Sequence, residues 1–326
     1  MNISKAIKLM NNYGSNSQPF LFVIDFEMLN PIVIQLDQID GNEILYKIND
    51  YSNFKSNNSI LKEKIKFHFE VKPPTFHNYL ESYNECIENI KLGNTYLINL
   101  TFPSEVNTNL TFLDVFKRSD SKYKLLLKDK FVLFSPETFV KINNGIISSY
   151  PMKGTIDAGI ENAEEIILND SKEKCEHATI VDLIRNDLSI VSKNVKLEKY
   201  RYLEYIKTYN KTLIQVSSKI TGILSKDYKN HIGDTLISLL PAGSISGAPK
   251  KKTLEIINKV EKYKRGYYTG VFGYFDGVNL ESSVMIRFIE KTSKGLIFKS
   301  GGGITFLSEA YKEYNELIDK VYVPFI

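Results

Sequence analysis

Hydrophobic and polar positions change places over short distances near the start of the chain. The runs Phe20 to Phe26 and Pro31 to Leu36 are separated by polar turns, which predicts strands over residues 19–50. The polar stretch from Asp50 to Asn58 predicts a loop. From Tyr79 to Leu92 the apolar positions return at helical spacing, and Gly93-Asn94 supplies a stop signal. Period-two alternation resumes from Tyr96 to Phe102. Phe131 to Phe134, Phe139 to Ile142 and Ile146 to Tyr150 then read as strands of a hairpin region, with Asn143-Asn144-Gly145 as its turn.

The second half repeats this mixture. Helical spacing marks 161–169 and 171–189, the latter carrying Ile180, Leu183, Ile184 and Leu188 on one face. Strands are predicted near 194–207 and 212–223. Helices near 231–240 and 249–263 flank the small-residue loop Pro241 to Pro249. Tyr267 to Phe275, Ser282 to Glu290 and Gly295 to Ser300 form the clearest β region, and a last helix spans about 308–320. No regular βαβ alternation or internal repeat is present, so the class is α+β with antiparallel sheets.

Composition narrows the setting. Apolar residues make up 43% and charged residues 25% of 326 positions, a globular profile. A net charge of +4 is too small and too dispersed for a nucleic-acid track, but it suits a small anionic substrate. Cys86 and Cys175 make no disulfide framework, and four scattered histidines give no zinc spacing. No apolar run is long enough to span a bilayer and Met1-Asn2-Ile3-Ser4-Lys5 lacks a signal-peptide core, so a cytoplasmic protein is expected.

Three groups of residues carry candidate chemistry. Glu313 and Glu316, three apart on the last helix, share a face, and Glu176 is expected in the first turn of another helix. Such acids form a solvated stripe, or a hard-oxygen site suited to Mg2+ if they converge; spacing alone does not choose. Gly301-Gly302-Gly303 follows a strand and reads as an anion cradle or a flexible turn. Arg287 shares strand parity with apolar Met285 and Ile289, and a buried guanidinium wants an anionic partner. Glu137, in Ser135-Pro136-Glu137-Thr138, and Lys153, in the turn Pro151-Met152-Lys153-Gly154-Thr155, are a candidate acid and nucleophile.

Taken together, these segments resemble the successive signatures of the chorismate-binding enzymes. The resemblance extends to Ile180 to Leu188, Pro241 to Lys250, Arg265 to Gly270, Gly273-Tyr274 and Glu313-Tyr314-Asn315-Glu316, and covers the chain from about residue 75. It implies one chorismate-utilising domain over 1–326, with a shortened N-terminal region (1–74) and a catalytic core (75–326). The implied fold is a sandwich of two antiparallel sheets with helices outside.

Within that resemblance, Glu176 and Glu316 match Mg2+ ligands, with Glu313 close by. Glu137 matches the acid that assists loss of the C4 hydroxyl. Arg287, Tyr274, Lys320 and the backbone of Gly301, Gly302 and Gly303 match groups around the pyruvyl carboxylate. Ser244, Ser246 and Thr155 are expected beside the substrate. Lysine at position 153 resembles the branch that makes 4-amino-4-deoxychorismate, the precursor of p-aminobenzoate and folate. There its amine attacks C2, and burial beside Mg2+ is expected to lower its pKa. Anthranilate synthase component I, with a small residue in this turn, and isochorismate synthase are the alternative branches. Leu97 departs from the polar residue usual at its position and weighs against the water-adding branch. Neither cysteine lies in a glycine-flanked nucleophile turn, so ammonia is expected from a separate glutamine amidotransferase subunit or from solution.

Overall fold

Strand Phe20–Ile24 is buried at every position, because its two faces serve two different cores. Phe20, Phe22 and Ile24 join a cluster beneath helices, while Leu21 and Val23 join a second cluster with Leu125, Leu133 and Phe272. A strand that reads as continuously apolar is thus a central strand covered on both sides. The structure is a computed structural model that describes residues 1–54, 66–207 and 212–324.

Among the described residues, two nine-stranded sheets carry the fold, and all recorded pairings are antiparallel. The first sheet contains Phe20–Ile24, Val271–Phe275, Leu280–Val284, Thr138–Asn143, Ile146–Ser149, Thr212–Ile223 and Met152–Asp157. The second is built on Leu97–Thr108, Gly295–Ile304, Phe288–Thr292, Phe131–Ser135, Tyr123–Leu127 and Ile44–Ile48. Leu21, Val23, Leu125, Leu133, Phe272 and Phe288 fill the space between the sheets. Helices Ile3–Ser15, Ser171–Val191 and Ile232–Ser238 cover the first sheet, and Phe76–Lys91, Lys250–Val260 and Ala310–Asp319 cover the second. This is the expected α+β sandwich with helices outside. Truncating one of the central phenylalanines, such as Phe272, to Ala would cost about 3–5 kcal/mol.

Two segments cross between the sheets side by side. Phe131–Ser135 belongs to the second sheet, and after Pro136-Glu137 the chain continues into the first as Thr138–Asn143. Leu280–Val284 belongs to the first, and after Met285-Ile286-Arg287 the chain continues into the second as Phe288–Thr292. The continuous strand expected from Ser282 to Glu290 is therefore two strands. The break is at Arg287, whose φ of 54° is outside the β region.

Other differences are local. Tyr267 to Phe275 becomes a strand only at Val271, since Gly266 and Thr269 both have positive φ and form turns. The Pro241 to Pro249 loop contains the short helix Gly243–Ser246. The Pro151 to Thr155 turn is instead the start of strand Met152–Asp157, with a bulge between Met152 and Thr155 and a φ of 80° at Gly154. Glu176 sits in the second turn of its helix rather than the first. The loop expected at Asp50 to Asn58 includes strand Tyr51–Ser52, and its residues from 55 onward lie outside the described residues.

Helix Ile3–Ser15 was not expected. It is capped by the Asn2 side chain, which accepts from Lys5 N at 2.9 Å, and it buries Ala6, Met10 and Gly14 four residues apart. No helix among the described residues is long and apolar enough to cross a membrane.

Candidate active site

The crossover between the sheets holds Glu137. Its carbonyl accepts hydrogen bonds from Ser283 Oγ at 2.7 Å and Val284 N at 3.2 Å, which fix the backbone. Its carboxylate accepts from the Ser244 hydroxyl at 2.5 Å. Burial raises the Glu137 carboxyl above the usual range, against the opposing pull of Ser244, Arg287, Lys153 and Lys320. A carboxyl held that way is suited to give a proton.

Arg287 occupies the neighbouring crossover. Its guanidinium lies 5.4 Å from the Tyr322 ring centroid, and its Nε is buried without a hydrogen-bond partner. Among the described residues no carboxylate pairs with it. A guanidinium so placed has donors in reserve for an anion.

Lys153 comes from the bulged strand. Its ammonium donates to Glu176 Oε2 at 2.8 Å. A Cβ added to Gly303 would stand 3.3 Å from Lys153 Nζ and 3.1 Å from Leu97 Cδ1. The glycine therefore lets the lysine, the apolar Leu97 and the strand backbone converge. Burial pushes the Lys153 pKa down, but Glu176, then Glu316 and Glu173, outweigh it and raise the ammonium above the usual lysine value. The lowering was expected for burial beside Mg2+; against Glu176, Glu316 and Glu173, burial by itself does not lower it.

Each of the three acidic residues is paired with a lysine. Glu176 and Glu313 are buried on different helices, and the Lys172 ammonium lies between them, 3.7 Å from Glu176 and 3.1 Å from Glu313. Lys320 pairs with Glu316 at 2.6 Å and donates to Gly301 O at 2.9 Å. Burial opposes the charge on Glu316, yet Lys320, Lys153 and Lys172 hold its carboxyl below the usual range. Burial lowers the Lys320 pKa, helped by Lys153 and Arg287. A Cβ on Gly302 would be 3.7 Å from both Glu313 and Glu316 oxygens. The triplet is thus a strand segment that lets carboxylates and lysines approach its backbone.

The chain is similar to known proteins. The family described as chorismate binding enzyme matches residues 36–325. The chain belongs to the chorismate-binding enzyme family. The match begins well before residue 75, so part of the N-terminal region belongs to the family pattern too. An uncharacterized PabA-like protein of Haemophilus influenzae is 46% identical over 318 residues, covering 98% of this chain and 96% of its own. Anthranilate synthase component 1 of Mycolicibacterium smegmatis is 31% identical over 76% of this chain, which spans half of that protein. The solved structure of MenF, the menaquinone-specific isochorismate synthase of Escherichia coli, superposes with a TM-score of 0.71 at 13% identity, covering 98% of this chain and 81% of MenF. That likeness concerns the fold.

Three expected site residues of this chorismate-binding enzyme lie elsewhere. Tyr274 packs on Tyr51, ring centroids 4.3 Å apart, in the core between the sheets. The Ser246 hydroxyl is buried and donates to Ala242 O at 2.9 Å. Thr155 is exposed and pairs in register with Gln215. Tyr268 was missed: it is buried, and its hydroxyl pKa is raised by burial against the nearby Arg265 and Arg287. Its place in Arg265 to Gly270, a segment already singled out, was the available signal. His177, which follows Glu176, is a core residue rather than a site residue. It is buried, its Nε2 lies 2.7 Å from Ser218 Oγ, and desolvation with Arg201 and Lys153 lowers its pKa to about 4.

The donor set fits a hard cation. Only oxygen ligands are present, and the Lys172 ammonium already marks a position where positive charge sits between Glu176 and Glu313. Among the described residues no group of three His, Cys, Asp or Glu forms a ready cage. Mg2+, which keeps several waters and uses one or two carboxylates plus substrate oxygens, suits such an open set.

Proposed function

We propose that this chain is aminodeoxychorismate synthase component I, converting chorismate and ammonia to 4-amino-4-deoxychorismate for p-aminobenzoate and folate synthesis. The observation that carries this reading is the place of Lys153, whose amine is turned into the site beside Glu176 and Gly303 rather than out to solvent.

In this reading the deprotonated Lys153 amine forms a bond to C2 of chorismate while both ring double bonds shift and the C4–O bond breaks. Glu137 supplies the proton with which the oxygen leaves as water. Ammonia then attacks C4, both double bonds shift back and the C2–Nζ bond breaks. The departing lysine nitrogen takes up the proton that the ammonia loses. Arg287 and Lys320, the cations near the glycine triplet, are assigned to the carboxylates of the substrate. Glu176 and Glu316, with Glu313 adjacent, would hold Mg2+, which neutralises carboxylate charge and polarises bound oxygens. Buried Leu97 lines the site with an apolar wall that cannot activate water, which speaks against isochorismate formation.

The nitrogen donor in this proposal is a separate glutamine amidotransferase subunit. Cys86 is buried inside a helix with its thiol pushed up to about 12 by desolvation, and Cys175 lies on another helix, so neither suits a glutaminase nucleophile.

Anthranilate synthase component I is the second reading, favoured by the 31% identical relative. Incubating the purified chain with chorismate, Mg2+ and ammonium salts, then identifying the product by chromatography and mass spectrometry, separates the two. Aminodeoxychorismate is expected. Anthranilate as the main product would replace this reading with the second.

A further inference from the structure

We infer that Lys172 is a built-in competitor for the divalent cation, an internal ammonium that must leave before metal binds between Glu176 and Glu313. The inference rests on the metal reading of those carboxylates.

Lys172 and Glu176 are four residues apart on helix Ser171–Val191, so the lysine can reach its own helix's carboxylate. Glu313 comes from helix Ala310–Asp319 and would otherwise have a nearly solvent-free carboxylate without this cation. The two acids have side chains only 8% and 3% exposed, whereas that of Lys172 is 38% exposed. The carboxylates are therefore fixed, and the lysine is the member with a route to solvent. It satisfies buried negative charge when no metal is bound, as uncompensated charges would be costly there. The same position makes it a like charge to any incoming cation. Like charges a few ångströms apart repel, and the repulsion grows as solvent is excluded. The consequence is weak metal binding by the substrate-free chain, with metal joining only as Lys172 swings away.

Two measurements on the full chain test this. Isothermal titration of Mg2+ without substrate should give at least about tenfold tighter binding to Lys172→Met than to wild type, by loss of one like charge. Lys172→Arg should behave like wild type. In the wild-type protein itself, the rate at which an amine-reactive ester labels Lys172, followed by peptide mass spectrometry, should rise when Mg2+ is added. Equal or weaker binding by Lys172→Met, together with labelling unchanged by Mg2+, would overturn the competitor role and leave the metal site standing. Absence of Mg2+ binding in every variant would overturn both.

Discussion

Glu137 and Arg287 stand at paired crossings, each at the point where its segment passes from one sheet to the other. The two crossings are tied by backbone bonds, Phe134 N to Arg287 O at 3.1 Å and Val284 N to Glu137 O at 3.2 Å. The acid and the cation are thus parts of one rigid feature, held by both sheets at once. Free loops would place them less tightly.

Because Arg287 has donors in reserve, its replacement should act mainly on substrate binding. Arg287→Ala is expected to raise KM for chorismate about tenfold to a hundredfold, the loss of a charge-assisted contact, with a smaller change in kcat. Arg287→Lys should recover only part, since a point charge does not reproduce the planar fork. Steady-state kinetics with purified variants checks both.

Glu137 should behave in the opposite way. Glu137→Gln is expected to lower kcat by about a hundredfold or more with little change in KM, as for removal of a general acid. The acid works when protonated, so its contribution falls as pH rises through its pKa. The Ser244 hydroxyl stabilises the carboxylate form, so Ser244→Ala should raise that pKa further and move the alkaline fall of kcat to higher pH. An alkaline limb unmoved by Ser244→Ala would remove Glu137 from the acid role.

Much of this site was legible from residue types because the functional side chains lie in segments with distinctive local chemistry. Lys153 stands beside Gly154, Glu137 follows a proline, and Glu313 and Glu316 share a helix face. The errors were of another kind. Strand parity predicted a buried Arg287, which is half-buried, and it could not reveal that the strand ends and the chain changes sheets there. Tyr274 and Tyr268 are both buried aromatics near glycines, and only the sheet register shows that Tyr274 faces Tyr51. Ser246 looked equivalent to Ser244 until the short helix Gly243–Ser246 turned its hydroxyl onto the backbone. The raised pKa of Lys153 depends on carboxylates from distant segments, which spacing does not report.

His177 gives a stability test separate from catalysis. Its folded pKa of about 4 lies below the ordinary histidine value, so the unfolded chain binds the extra proton first as pH falls. Stability is therefore expected to drop between about pH 6.5 and 4, by up to about 3 kcal/mol from this residue. Denaturant unfolding of wild type and His177→Asn across that range should show a shallower acid loss in the variant. Parallel curves would mean that His177 is not the group responsible.

The central claim is that the Lys153 amine bonds to the substrate. Intact-protein mass spectrometry of the wild-type chain, mixed with chorismate and Mg2+ in the absence of ammonia, tests it most directly. The expected result is an adduct of the mass of chorismate less one water, mapped by peptide analysis to Lys153 and absent from Lys153→Ala, which should also lose most aminodeoxychorismate synthesis. No adduct in the wild type, with near-normal aminodeoxychorismate from Lys153→Ala, would contradict the claim.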